Sequence, residues 1–253
     1  MIGNQTSVGP SDDARTSYIA PLLINISETV HVTRGREIVE IRGRHFGPVD
    51  SRNVITMIYT RPFDAKEKML SYRALNCEVM VAHVSVNCST APGVGRNFRW
   101  ISIVGGQHSP PSTFRTRYVA PRIQSFFVDT SSGTLATTGG ERVVFRGTNM
   151  GPAGSNFTAT YENPLANRYY AARTFVAPKC NVTTPHVEVT CLSAPGVGVL
   201  HYWQLAVGNQ STQVTNTSTS YTKPSITNFE DQYGGWAAGG DRHVVRVGEG
   251  WDH

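Results

Sequence analysis

The stretch Cys88-Ser-Thr-Ala-Pro-Gly-Val-Gly95 reads CSTAPGVG, and 103 residues further on Cys191 to Gly198 reads CLSAPGVG. Self-similarity at a long, fixed period constrains a fold more than composition does, because each period must be one structural unit connected in the same way. The same shift carries Cys77 onto Cys180, Cys88 onto Cys191, Trp100 onto Trp203, Gln107 onto Gln210 and Tyr118 onto Tyr221. Earlier in the unit, with small length changes, Pro21 matches Pro121, Gly43 matches Gly147, and His45-Phe46-Gly47-Pro48 matches Asn149-Met150-Gly151-Pro152. Two full units therefore span 21–120 and 121–223.

The ends continue the pattern. Residues 1–20 read as the tail of an earlier unit: Ile2-Gly3-Asn4-Gln5-Thr6 matches Val207-Gly208-Asn209-Gln210-Ser211, and Tyr18-Ile19-Ala20-Pro21 matches Tyr118-Val119-Ala120-Pro121. Residues 224–253 read as the start of a further one, with Pro224-Ser225-Ile226 after Pro121-Arg122-Ile123 and Gly239-Gly240-Asp241-Arg242 after Gly139-Gly140-Glu141-Arg142. The expectation is a window onto a longer tandem array.

Units of about a hundred residues are large enough to bury a core each. Apolar content of 39%, charged content of 16%, 24 Gly and 14 Pro suit short strands joined by turns. Within a unit the apolar residues alternate: Ile38, Val39 and Ile41 before Gly43; Ile55, Met57 and Tyr59; Val84 and Val86 into Cys88; Phe98, Trp100 and Ile103. Period-two runs of this kind, about seven per unit, describe an antiparallel β-sandwich with Trp100 and Trp203 as core anchors. Only Phe63 to Arg73 reads as helical, with Ala65, Met69 and Tyr72 on one stripe.

The net charge of +5 is spread rather than clustered, +6 over 21–120 and +3 over 121–223, and 19 of the 23 basic residues are Arg. A nucleic-acid footprint would show as a stripe; dispersed Arg34, Arg36, Arg42 and Arg44 fit a solvated strand face, and no nucleic-acid partner is expected. No run approaches the roughly 18 apolar residues that a membrane helix requires, so no membrane insertion is expected of this segment.

The four cysteines pair by spacing, Cys77 with Cys88 and Cys180 with Cys191, across a loop that suits an antiparallel hairpin with its strands in bridging range. Free core thiols, or a four-thiolate zinc site recruited from two distant pairs without a CxxC motif, are the alternatives, and no metal site is expected. Seven of the 14 asparagines head an Asn-x-Ser/Thr triplet: Asn4, Asn25, Asn87, Asn156, Asn181, Asn209 and Asn216. Chance would give roughly two or three. These features point to an extracellular or cell-surface glycoprotein of the secretory pathway, with N-linked glycans and no other cofactor. Asn87 is the doubtful acceptor, because Cys88 is its middle residue.

The opening Pro, a GG or RG before a strand, Gly-x-x-Phe-Gly-Pro, a Cys pair, Ala-Pro-Gly-Val-Gly, and Gly-Gln-x-Ser before Tyr-x-x-Pro together resemble the IPT/TIG family of immunoglobulin-like domains. The resemblance covers both full units and the two partial ones. It departs from the usual pattern at Arg34-Gly35-Arg36, where GG is common, and at Asn209-Gln210-Ser211. It implies tandem immunoglobulin-like sandwiches of the kind seen in plexin- and growth-factor-receptor-like ectodomains and in large surface proteins of protists and cilia. The family's DNA-binding branch lacks the paired cysteines and sequons present here.

Enzymatic signatures are missing from the sequence: the eight histidines are scattered singly, and no HExxH, GxSxG or GxxxxGK occurs. Gly139-Gly140-Glu141 reads as a strand-entry turn, and the pairs Asp12-Asp13 and Glu230-Asp231 fall in linker-like or unit-opening segments where hydration suffices. No catalytic residue is assigned. Two functions fit: a structural part of an extracellular filament, appendage or coat whose partners are neighbouring copies or another extracellular protein, or the stalk or ligand-binding ectodomain of a membrane-anchored adhesion receptor. The short Tyr118-to-Pro121 linker, which suggests stiff junctions, serves both.

Overall fold

The computed structural model describes residues 17–50, 54–61, 70–164 and 174–226. Its elements are all strands. Along the first part of the chain run β1 (Leu22–Ile26), β2 (Val30–His31), β3 (Ile38–Arg44), β4 (Ile55–Thr60), β5 (Ser71–Arg73), β6 (Leu75–Val81), β7 (Ser85–Ser89), β8 (Arg96–Val104), β9 (Gln107–His108) and β10 (Thr116–Tyr118). The second part has β11 (Arg122–Val128), β12 (Arg142–Thr148), β13 (Thr158–Glu162), β14 (Phe175–Val176), β15 (Cys180–Thr184), β16 (Glu188–Leu192), β17 (Tyr202–Val207) and β18 (Gln210–Ser211).

These form two immunoglobulin-like β-sandwiches, antiparallel except where β2 pairs with β10 in parallel. In the first, a sheet in the order β1-β3-β7-β6 faces one in the order β2-β10-β8-β4-β5, with β9 on β8; in the second, β11-β12-β16-β15 faces β14-β13-β17-β18. The alternation seen in the sequence is the reason the sheets can face each other. In β4 the residues Ile55, Met57 and Tyr59 are buried while Thr56, Ile58 and Thr60 are half-buried, and in β17 Trp203, Leu205 and Val207 take the inner positions. Trp100 and Trp203 are fully buried and stack on Tyr59 and Tyr161, with ring centroids 4.3 and 3.9 Å apart. Each indole N–H donates to a threonine hydroxyl at 3.0 Å, Thr116 in one sandwich and Thr219 in the other, so neither polar tip is left unpaired in the core.

Both first strands carry a bulge at the same place, between Leu23 and Asn25 and between Ile123 and Ser125. The paired glycines explain themselves there, since a Cβ on Gly43 would collide with the Leu22 carbonyl oxygen and one on Gly147 with that of Arg122.

The helical expectation for Phe63 to Arg73 is overturned where it can be compared. Residues 62–69 lie outside the described residues, but Ser71–Arg73 is a strand paired with β4, Tyr72 opposite Tyr59. Edge pairing, together with three aromatic neighbours of Tyr72 within 5.5 Å, outweighs the helical stripe. Of the four arginines expected on one strand face, Arg42 and Arg44 are on β3, whereas Arg34 and Arg36 precede it in the turn.

Candidate functional site: the joint between the sandwiches

The repeated phrase Ala-Pro-Gly-Val-Gly is the loop joining β7 to β8, and two tyrosines fix its first residue. Ala91 N–H donates to the Tyr59 hydroxyl at 2.9 Å, the two hydroxyls are 2.7 Å apart, and the Tyr118 hydroxyl donates to the Ala91 carbonyl at 2.6 Å. Burial raises the pKa of both phenols, Tyr59 to about 12, so both protons needed for this closed circuit stay in place. Gly93 follows because a Cβ there would meet the rings of Tyr118 and Tyr72 at 2.7 Å. Tyr72 completes the fixation, its hydroxyl bonding to both N–H and carbonyl of Val94 at 3.0 Å.

The last two residues of the phrase serve the neighbouring sandwich. Val94 is only 5% exposed, and its apolar neighbours belong to the second core rather than to its own. Gly95, at φ 105°, meets the turn between β17 and β18: a Cβ on Gly208 would stand 2.6 Å from the Gly95 Cα. Gly208 is therefore required by backbone-to-backbone approach across the joint, and Gly95 by its positive φ. Gln210, one position into β18, uses both ends of its amide. Its Oε1 accepts from Gly95 N–H at 3.2 Å and its Nε2 donates to the Tyr118 carbonyl at 2.8 Å. On the far side of the joint, Thr33 Oγ1 lies 3.0 Å from His186 Nδ1, and burial together with the charge of Arg34 lowers the His186 pKa, favouring the neutral ring.

The glutamine contact occurs twice. Gln107, the counterpart of Gln210 by the 103-residue shift, donates through Nε2 to the carbonyl of Tyr18 at 2.7 Å, and Tyr18 is the counterpart of Tyr118. One rule of connection is thus written at two successive places in the chain: a glutamine in the β-turn of one unit holds the carbonyl of the Tyr-x-x-Pro linker that enters it.

Beside the joint lies an open cleft of about 590 Å³, lined from the first sandwich by Leu70 and Tyr72 and from the second by Ala153, Asn156, Thr158 and Asn209. Two of the seven sequons therefore flank it. Asn25, Asn156, Asn181, Asn209 and Asn216 are all exposed, whereas Asn87 is half-buried within the inner strand β7; Asn4 lies outside the described residues. Cys77 is bridged to Cys88 and Cys180 to Cys191, with Cα atoms 4.1 and 4.0 Å apart, and in the second sandwich the two cysteines face each other directly in the β15–β16 register. Among the described residues no group of three or more His, Cys, Asp or Glu stands close enough to hold a metal ion.

Sequence reasoning missed the joint residues Val94, Gly95, Gly208 and Gln210. Their signal was present, because Val-Gly and Gln recur at a constant offset, but a turn explains the first pair equally well until a neighbour is seen against it.

No protein-family model matches this chain, and no curated protein matches it. Among solved structures it is similar to the plexin A4 extracellular region, at 11% identity and TM-score 0.32 over 87% of this chain, and to the adhesin InvE of Yersinia pseudotuberculosis, at 11% identity and TM-score 0.42 over 79%. It is also similar to the D0-D1 domain of intimin, at 9% identity and TM-score 0.21 over 78%. The chain spans 20% of that plexin chain, 58% of that adhesin chain and 99% of the intimin one.

Proposed function

We propose that this chain is a non-enzymatic segment of a longer secreted or cell-surface glycoprotein, whose immunoglobulin-like repeats stack end to end through a fixed joint to build an extracellular filament, appendage or coat. The observation that carries this reading is the repeated glutamine-to-linker contact, Gln210 on Tyr118 and Gln107 on Tyr18. At Tyr18 only the linker side of the contact lies among the described residues; a joint recurring in full with the same residues would relate each unit to the next by one operation, and repetition of one operation gives a straight or regularly coiled rod rather than a flexible string. The extracellular placement is supported by both cysteine pairs being bridged and by the surplus of exposed sequons. Neighbouring copies of the chain or another extracellular protein are the partners such a rod would meet.

Electron microscopy of the native, full-length polypeptide tests the reading. Continuous fibres or sheets with an axial spacing of one or two sandwich lengths are the expected result. Isolated beaded stalks on vesicles would overturn the filament and favour a receptor stalk, the other function compatible with a stiff joint.

A further inference from the structure

Most of the surface that receives the second sandwich on the first has a counterpart at the far end of the second; the exception is the Tyr72 hydroxyl on Val94, for Phe175 stands at its place and His201 Nε2 lies 3.2 Å from the Val197 carbonyl instead. Ala194-Pro195-Gly196-Val197-Gly198 is held by the same circuit: Ala194 N–H to the Tyr161 hydroxyl at 2.9 Å, Tyr161 and Tyr221 hydroxyls 2.7 Å apart, and the Tyr221 hydroxyl to the Ala194 carbonyl at 2.8 Å. Gly196 N–H donates to the Thr137 carbonyl at 2.9 Å, as Gly93 N–H does to that of Thr33 at 3.0 Å. Gly198 has a φ of 108° against 105° for Gly95. The backbone is set in the same shape at both places. The cover differs: Val94 is 5% exposed and Val197 66%, while Thr33 is 1% exposed and Thr137 lies open to solvent.

We propose that Val197, Gly198 and Thr137 form a docking socket for a following repeat of this same kind, the unit that the sequence opens at Pro224. A single exposed valine is ordinary on a protein surface; what singles out Val197 is a loop fixed by the same tyrosine circuit, with the same glycine conformation, as one that is occupied. The linker points the same way in both cases. Thr222 N–H donates to the Leu135 carbonyl at 2.7 Å where Val119 N–H donates to that of His31 at 2.8 Å, and Pro224 follows Tyr221 at the spacing at which Pro121 follows Tyr118. A repeat attached by so short a linker reaches the socket at high effective concentration and needs little intrinsic affinity to stay there. Recognition would come from a Gly-x-Gln turn, whose glycine lets the backbones touch and whose amide clamps the Gly198 N–H.

The inference rests on the rod reading above, and the test separates the two. All four native cysteines are bridged, so a cysteine placed at Val197 is the sole thiol. Its maleimide reaction rate is measured in the 253-residue chain and in a chain in which residues 1–223 are followed directly by a second copy of 121–223. Val94→Cys in the 253-residue chain is the reference for a covered site. Val197→Cys is expected to react fast in the original chain and about tenfold or more slowly in the extended one, with Gly208→Val in the appended copy restoring the fast rate. Fast reaction in both chains, with Val94→Cys slow, would overturn the socket and leave the rod standing. Fast reaction at Val94→Cys as well would show the existing joint open, and both readings would fall. Amide hydrogen exchange on unsubstituted chains gives the same answer without a cysteine, with protection of Gly198 expected only in the extended chain.

Discussion

Gly95 and Gly208 meet back to back, and Gly208 cannot carry a side chain without parting the two sandwiches, since its Cβ would stand 2.6 Å from the Gly95 Cα. Gly208→Val is expected to leave the unfolding midpoint of the first sandwich nearly unchanged and to lower that of the second modestly, because Val94 leaves its core and a valine at φ 56° is strained, while small-angle scattering shows a broader distribution of interatomic distances as the joint opens. An unaltered scattering profile would mean that the backbones do not meet in solution. Inside the first core, Tyr118→Phe breaks the hydroxyl circuit, takes from the buried Tyr59 hydroxyl its partner and leaves the half-buried Ala91 carbonyl without its shortest donor, which costs about 1–3 kcal/mol. Urea denaturation reads this directly. His31 makes a different statement. It is 1% exposed and packs against the Tyr118 ring, and Glu37 is its nearest charged group at 3.8 Å. Burial lowers its pKa from 6.5 to about 4. Between those values the unfolded chain takes up the proton and the folded chain does not, so stability is complete above about pH 7 and falls as the pH drops toward 4, by about 3 kcal/mol at most. The second sandwich has Leu135 at this position. His31→Leu is therefore expected to flatten the difference between urea midpoints at pH 7 and pH 4.5; an equal difference in the variant would place the acid sensitivity elsewhere.

At the scale of elements, each disulfide ties an outer strand, β6 or β15, to the strand beside it, and so secures the edge most easily peeled from the sheet. In the chain-entropy account a loop this short contributes roughly 2–3 kcal/mol, so reduction is expected to lower the denaturation midpoint of both sandwiches together. A midpoint indifferent to reductant would contradict the bridges. These hairpins, like β3, β4, β7 and β8, were readable from cysteine spacing and two-residue alternation. The strand β5 was not. Tyr72 falls on a helical stripe when only its neighbours in sequence are considered; its pairing opposite Tyr59 and its bonds to Val94 come from residues more than ten positions away.

At the scale of the molecule, five sequon asparagines are exposed and Asn87 lies inside a sheet beside a bridged cysteine. Enzymatic deglycosylation of native material followed by mass spectrometry is expected to mark Asn25, Asn156, Asn181, Asn209 and Asn216 and to leave Asn87 bare; finding all of them unmodified with free thiols would remove the case for the secretory pathway. Glycans at Asn156 and Asn209 would flank the joint cleft.

The sequence alone determined the period, the sandwich class, the cysteine pairs and the places where glycine and proline recur. It could do so because those features follow from local rules of alternation, turn geometry and spacing that hold within one unit. The assignment of Val94, Gly95, Gly208 and Gln210 to a joint was decided by tertiary structure. A valine after a turn reads the same whether it faces water or a neighbour's core, and Val197, with the same flanking residues and the same backbone, is the instance that faces water.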